Sequence, residues 1–103
     1  NMIHVVATLE LQPGKRKEFL AVFHAFAAEV RKENGCVEYG VAADVASGIP
    51  VQPPLRENAV VILEKWADLG ALKAHLAAPG MKAYREQTKD FVASRDLRIL
   101  QPV

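Results

Sequence analysis

The chain holds one cysteine among its 103 residues, Cys36, so no disulfide can form within it. Its folding therefore needs no oxidising compartment, and a reducing cytoplasm is the expectation. No apolar run approaches the roughly 18 residues of a membrane-spanning helix, and no basic-then-apolar leader is visible, so no membrane partner is expected. Excess charge is also missing: 13 basic residues face 12 acidic ones, a net charge of +1. A chain so balanced carries no field that would recruit nucleic acid. Its one basic run, Lys15-Arg16-Lys17, is followed by Glu18 and reads as the solvated face of a helix. The three histidines, His4, His24 and His75, stand far apart, and neither H-x-x-x-H nor C-x-x-C occurs. With no glycine-rich phosphate loop and no Ser-His-Asp arrangement either, neither a metal nor a cofactor is expected.

What the chain does have is hydrophobic patterning, half its residues being apolar. Ile3 to Leu11 alternates with period two, a strand, and Gln12-Pro13-Gly14 stops it. From Lys15 to about Glu33 the period becomes helical: Phe19, Val22, Phe23, Phe26, Ala27 and Val30 form one stripe, ended by Asn34-Gly35. Val37 to Val45 predicts a second strand with Tyr39, Val41 and Ala43 on one face. Ser47 to Asn58 holds Gly48, Pro50, Pro53 and Pro54, too many breakers for a regular element. Ala59 to Trp66 predicts a third strand, with Val60, Ile62, Glu64 and Trp66 sharing a face. Asp68 should cap a short helix carrying Leu69, Leu72 and Leu76, which Pro79-Gly80 breaks. A further helix carries Met81, Tyr84, Thr88 and Phe91, and Arg95 to Gln101 is the last strand.

The order β-α-β-β-α-α-β is the ferredoxin-like pattern, an α+β antiparallel sheet with helices on one face. One domain over residues 2–103 is expected, Asn1 ahead of Met2 being read as a remnant. A sheet covered on one side should be polar on the other. Here Val61, Leu63 and Val6 put aliphatic side chains on the second face as well, a patch that monomers rarely expose. A homodimer joined through that face is the expectation.

The segment Glu33-Asn34-Gly35-Cys36-Val37-Glu38-Tyr39 resembles the E-x-G-C-x-x-Y stretch of the antibiotic biosynthesis monooxygenase family. Glu64-Lys65-Trp66-Ala67-Asp68, followed by Ala71-Leu72-Lys73-Ala74-His75-Leu76, resembles that family's E-x-W-x-D and A-L-x-x-H stretches, and Ile3 to Ala7 with Pro13-Gly14-Lys15 fits too. The resemblance implies a dimeric α/β barrel, a pocket between sheet and helices, and oxidation of quinols or anthrones without metal, flavin or heme. Two departures stand out. The Pro-rich loop, Ala46 to Asn58, is longer than usual, and Gly80 stands where many relatives carry a second His. Ala7 stands where heme-degrading relatives carry Asn, and the helices after Trp66 lack Trp, which argues against heme.

Oxygen insertion without a cofactor needs a substrate that supplies its own electrons, and a hydroquinone or enol does so best once deprotonated. A phenol near pKa 10 lies about 3.5 units above a free imidazole, a gap of roughly 5 kcal/mol that positioning and hydrogen-bond donors must close. His75, matching the family's helix histidine, is the candidate base, expected beside the buried leucine line rather than half-exposed on the helix. Trp66 is a core aromatic whose indole N–H can orient a ligand, and Tyr39 a core residue whose hydroxyl can donate. Glu64, on an apolar face, should be paired or raised in pKa, with Arg98 as a plausible partner. His4, His24 and Cys36 read as packing or surface residues.

These residues leave three functions open: a cofactor-independent monooxygenase acting with O2 on a quinol, anthrone-like or related aromatic or enol; an isomerase or lyase of a small carbonyl metabolite; or a non-enzymatic ligand-binding dimer. A large apolar pocket favours the first, a small charged one the second, and a filled one the third.

Overall fold

The two most strongly alternating segments become the two central strands. In the computed structural model, which describes all 103 residues, β1 (Ile3–Leu11) and β3 (Ala59–Trp66) pair antiparallel, with β2 (Cys36–Ala42) outside β3 and β4 (Val92–Leu100) outside β1. The strand order β2-β3-β1-β4 is ferredoxin-like. Helices α1 (Arg16–Val30), α2 (Leu69–Ala77) and α3 (Pro79–Thr88) cover one face. Ile3, Val5, Ala7, Leu9 and Leu11 from β1 meet Val60, Ile62 and Trp66 from β3 beneath Phe19, Phe23, Ala27 and Val30 of α1 and Met81 and Tyr84 of α3. Each large side chain so buried contributes about 1.5–3 kcal/mol.

Several boundaries differ from the sequence pattern. α1 ends at Val30, and turns carry the chain on to Gly35. β2 ends at Ala42 rather than Val45, and Asp44 accepts hydrogen bonds from the backbone N–H and from the side-chain Nε and Nη2 of Arg56. That guanidinium holds the Asp44 carboxyl down at about 2. The Pro-rich segment so anchored connects β2 to β3 and contributes no lining residue to the cavity described below. On α2 the buried positions are Leu72 and His75 while Leu69 is exposed, so the inward face is rotated from the expected leucine line. Asp68 caps α2 as expected, accepting from Ala71 N–H at 2.8 Å.

Arg98 is not a partner of Glu64. It stands opposite Val6 on the face away from the helices and donates to Asp96, whereas Glu64 stands opposite Val5 on the helix side. The helix-free face carries half-buried Val6 and Val61 and exposed Leu63 along its middle.

Gly35 joins the end of α1 to the rest of the fold. Its φ is +83°, and a Cβ placed there would lie 2.6 Å from the Ala71 Cβ of α2. Its carbonyl accepts the Ala67 N–H at 2.8 Å. Gly35→Ala combines a left-handed backbone costing about 1–2 kcal/mol with overpacking of about 1–3 kcal/mol. Chemical denaturation of this variant should show a loss of about 2–5 kcal/mol; an unchanged midpoint would contradict the close approach.

Candidate functional site

β3 ends in an alternation that places Glu64 and Trp66 on the helix side, and β2 adds Tyr39 opposite Glu64. α2 brings His75 down onto them: its ring centroid lies 4.7 Å from Trp66 and 5.4 Å from Tyr39. The four residues expected from the sequence therefore meet at one place. His75 is only 1% exposed, so the half-exposed alternative is overturned. His4 is half-buried on the open sheet face, His24 is exposed, and Cys36 is half-buried in β2.

The polar atoms are bonded in a definite way. The Trp66 indole N–H donates to Glu64 Oε1 at 2.9 Å. His75 Nδ1 lies 3.0 Å from Glu33 Oε1, at the turn following α1. With Glu33 as a carboxylate, which only accepts, Nδ1 carries a proton, so in the neutral ring the lone pair is on Nε2. Nε2 is buried without a hydrogen-bond partner, as is the Tyr84 hydroxyl. Burial pushes the Glu64 carboxyl up, with Glu33 adding to the rise; the Trp66 hydrogen bond and His75 oppose it. Burial raises Tyr84 to about 12 and Tyr39 further still, so both stay protonated donors. Burial, Glu33 and Glu64 also raise the Cys36 thiol, the opposite of what a nucleophilic cysteine needs.

His75, Glu64, Tyr39 and Tyr84 line a cavity of about 70 Å³ walled mainly by apolar side chains, among them Ile62 and Met81. Nowhere do three His, Cys, Asp or Glu side chains converge as metal ligands would. The groups present suit proton transfer: an imidazole nitrogen with a free lone pair, a buried carboxyl and two phenols.

The model of the antibiotic biosynthesis monooxygenase family matches residues 2–87. The chain belongs to that family. Its relatives include the Escherichia coli protein named "probable quinol monooxygenase YgiN", 37% identical over 103 residues and 98% of each chain. A Caulobacter crescentus crystal structure of a "putative antibiotic biosynthesis monooxygenase" superposes with a TM-score of 0.83 at 33% identity, covering 99% of this chain and 90% of that one. A conserved Methanosarcina mazei protein of known structure gives the same TM-score at 25% identity, over 97% and 91% of the two chains. Glu33, Tyr39, Glu64, Trp66 and His75, five residues of the segments that carried the resemblance, are thus neighbours in space in this member of the family.

Three residues around the cavity escaped the sequence reading as site residues. Glu33 lies 42 positions from the imidazole it holds, Tyr84 was visible only as part of a helical stripe, and Arg95 only as the start of a strand. The E-x-G-C segment was the one signal that pointed to Glu33.

The raised Glu64 carboxyl makes a testable stability statement. A carboxyl whose folded pKa lies above its ordinary 4.5 binds more protons folded than unfolded, so its contribution is complete below that pH and is lost as pH rises through the folded value. Glu64→Gln removes the buried charge and keeps an acceptor for Trp66. Thermal unfolding should find it more stable than the parent at pH 7, the gap closing towards pH 4. A variant less stable at pH 7 would show that the carboxylate is better compensated than its burial implies.

Proposed function

We propose that residues 2–103 form one domain, working as a cytoplasmic homodimer, that oxidises a quinol, anthrone-like or related aromatic or enolic small molecule with O2 and without a metal or organic cofactor. The observation that carries this reading is the His75 imidazole, buried in an apolar cavity with Nδ1 held by Glu33 and Nε2 without a partner. The quinol monooxygenase name of the Escherichia coli relative supports the substrate class. A cavity walled mainly by apolar groups speaks for an aromatic ring rather than a small charged carbonyl metabolite, while its volume of about 70 Å³ is small rather than large.

His75 Nε2 takes the proton of a phenolic or enolic O–H, and the resulting anion is electron-rich enough to reduce dioxygen. One oxygen atom enters the ring and the other leaves as water. A hydroquinone becoming a hydroxyquinone supplies all four electrons, so no outside reductant is required. Tyr39 and Tyr84 remain protonated at neutral pH and are the donors for the developing oxyanion. Glu64 holds the Trp66 indole, which packs behind the His75 ring and keeps it in place. Excluding water keeps the oxyanion contacts strong.

His75→Phe keeps a buried ring of similar size while removing the base. It should stay within about 1.5 kcal/mol of the parent, as volume-conserving swaps do. Oxygen uptake on hydroquinones with metal-free protein should fall about a hundredfold or more; undiminished uptake would remove His75 from the chemistry. His75→Ala would instead leave a cavity costing about 2–5 kcal/mol, so its activity alone would be ambiguous.

The homodimer joins through the face bearing Val6, Val61 and Leu63, the apolar face that no helix covers. Leu63→Asp should turn a sedimenting dimer into a monomer at micromolar concentration, because the charge would be buried without a partner. A parent protein that sediments only at its 11.3 kDa chain mass would refute the dimer.

A further inference from the structure

The His75 cavity, about 70 Å³, is roughly half the ~150 Å³ apolar cavity that encloses a benzene ring in another protein. So small a space takes only the edge of a ring, and an aromatic substrate must leave the rest of itself outside. What it meets there is chemically distinct. Leu76 and Arg95 line both the cavity and a surface groove of about 630 Å³ running along α3. The charged walls of that groove are Lys82, Arg85 and Lys89 from α3 and Arg95 from β4, against one carboxylate, Glu86. Glu86 pairs with Lys89 at 2.6 Å, and Lys82, Arg85 and Arg95 take part in no ion pair of the chain. In a chain with a net charge of only +1, three unpaired cations around one groove are a local concentration, not a general basicity.

Arg95 connects the two spaces. It stands opposite Leu9 on the helix side of the sheet, close enough to Tyr84 that its charge pulls that phenol down against the effect of burial. The Tyr84 hydroxyl is itself buried, unpartnered and part of the cavity lining. A molecule reaching from His75 past Tyr84 thus runs from apolar walls and two free polar atoms to a cluster of cations. Two of these are guanidinium groups, whose paired N–H donors match the oxygens of a carboxylate or phosphate.

We propose that the groove of Lys82, Arg85 and Arg95 receives an anionic arm, a carboxylate or phosphate, of a substrate whose aromatic ring presents its edge to the His75 cavity. This rests on the reading of that cavity as an aromatic site, and it adds that the preferred substrate is an acid.

Trp66 is the only tryptophan and lies against His75, so its fluorescence reports on a quinone entering the cavity. The full chain is titrated with 2-methyl-1,4-naphthoquinone and with the same ring bearing a propanoate or an ethyl phosphate arm. Either charged probe should bind at least tenfold more tightly than the neutral one at low salt. That ratio should fall towards one in 0.5 M sodium chloride, where screening is strong, and in Lys82→Glu/Arg85→Glu, whose changes are on exposed positions of α3. Neutral and charged probes quenching alike in the parent would overturn the groove and leave the aromatic site standing. A preference that survives in the double variant would place the arm elsewhere and overturn the assignment as well. If no quinone quenches Trp66, the aromatic reading fails and the groove proposal falls with it.

Discussion

The hydrogen bond from the Ala67 N–H to the Gly35 carbonyl, with the left-handed turn that aims that carbonyl, holds the end of α1 against the start of α2. The arrangement around His75 depends on that contact. Because Gly35 has no Cβ, Ala71 can approach the turn, and α2 then lies low enough for His75 to reach the ring of Trp66. The same turn holds Glu33, two residues earlier, at hydrogen-bond distance from the imidazole. A backbone requirement at one residue therefore fixes both the depth of the histidine and its tautomer.

The core above the sheet stacks several rings and leaves two of their buried polar atoms without a partner. Phe23 lies parallel to Tyr39 with centroids 5.5 Å apart, and Phe26 parallel to Tyr84 at 4.3 Å. Thr88 and Glu64 are satisfied, by the Tyr84 carbonyl and the Trp66 indole respectively. The Tyr84 hydroxyl and His75 Nε2 are not. A buried polar group left without a partner costs about 1–3 kcal/mol. Two such groups beside one cavity are a stability penalty that a bound molecule able to hydrogen-bond to them would relieve.

Much of this was legible in the sequence, and the illegible parts share a cause. Alternation fixed the extents of β1 and β3 because both are central strands with one face under helices. The cap at Asp68 was a local signal; the stop read at Asn34-Gly35 came late, because α1 ends at Val30 and turns carry the chain to Gly35. The faces of β4 were not readable. Its outward residues are exposed, and Ala93 is an extra residue in its pairing with β1, between Val92 opposite Leu11 and Ser94 opposite Glu10. That bulge resets the parity, turning Arg95 inward to the cavity and Arg98 away from Glu64. No pattern within nine residues announces such a shift. For the same reason Glu33 was recognisable only through a motif: its contact with His75 is made entirely by tertiary structure. On α2, three leucines suggested an inward stripe with His75 beside it; Leu72 and His75 are buried as expected, but Leu69 at the helix start is exposed.

The sheet has two free borders, and each is poorly suited to receive another strand. β2 is only seven residues long, carries an extra residue at Val37 in its pairing with β3, and leads into the proline-bearing segment. β4 has its own irregularity at Ala93 and displays Arg95, Asp96 and Arg98 in a short stretch. Such interruptions and charges blunt the unpaired backbone groups on which sideways, fibre-like growth depends. With lateral addition discouraged at both borders, stacking face to face is the route to self-association that this sheet leaves open.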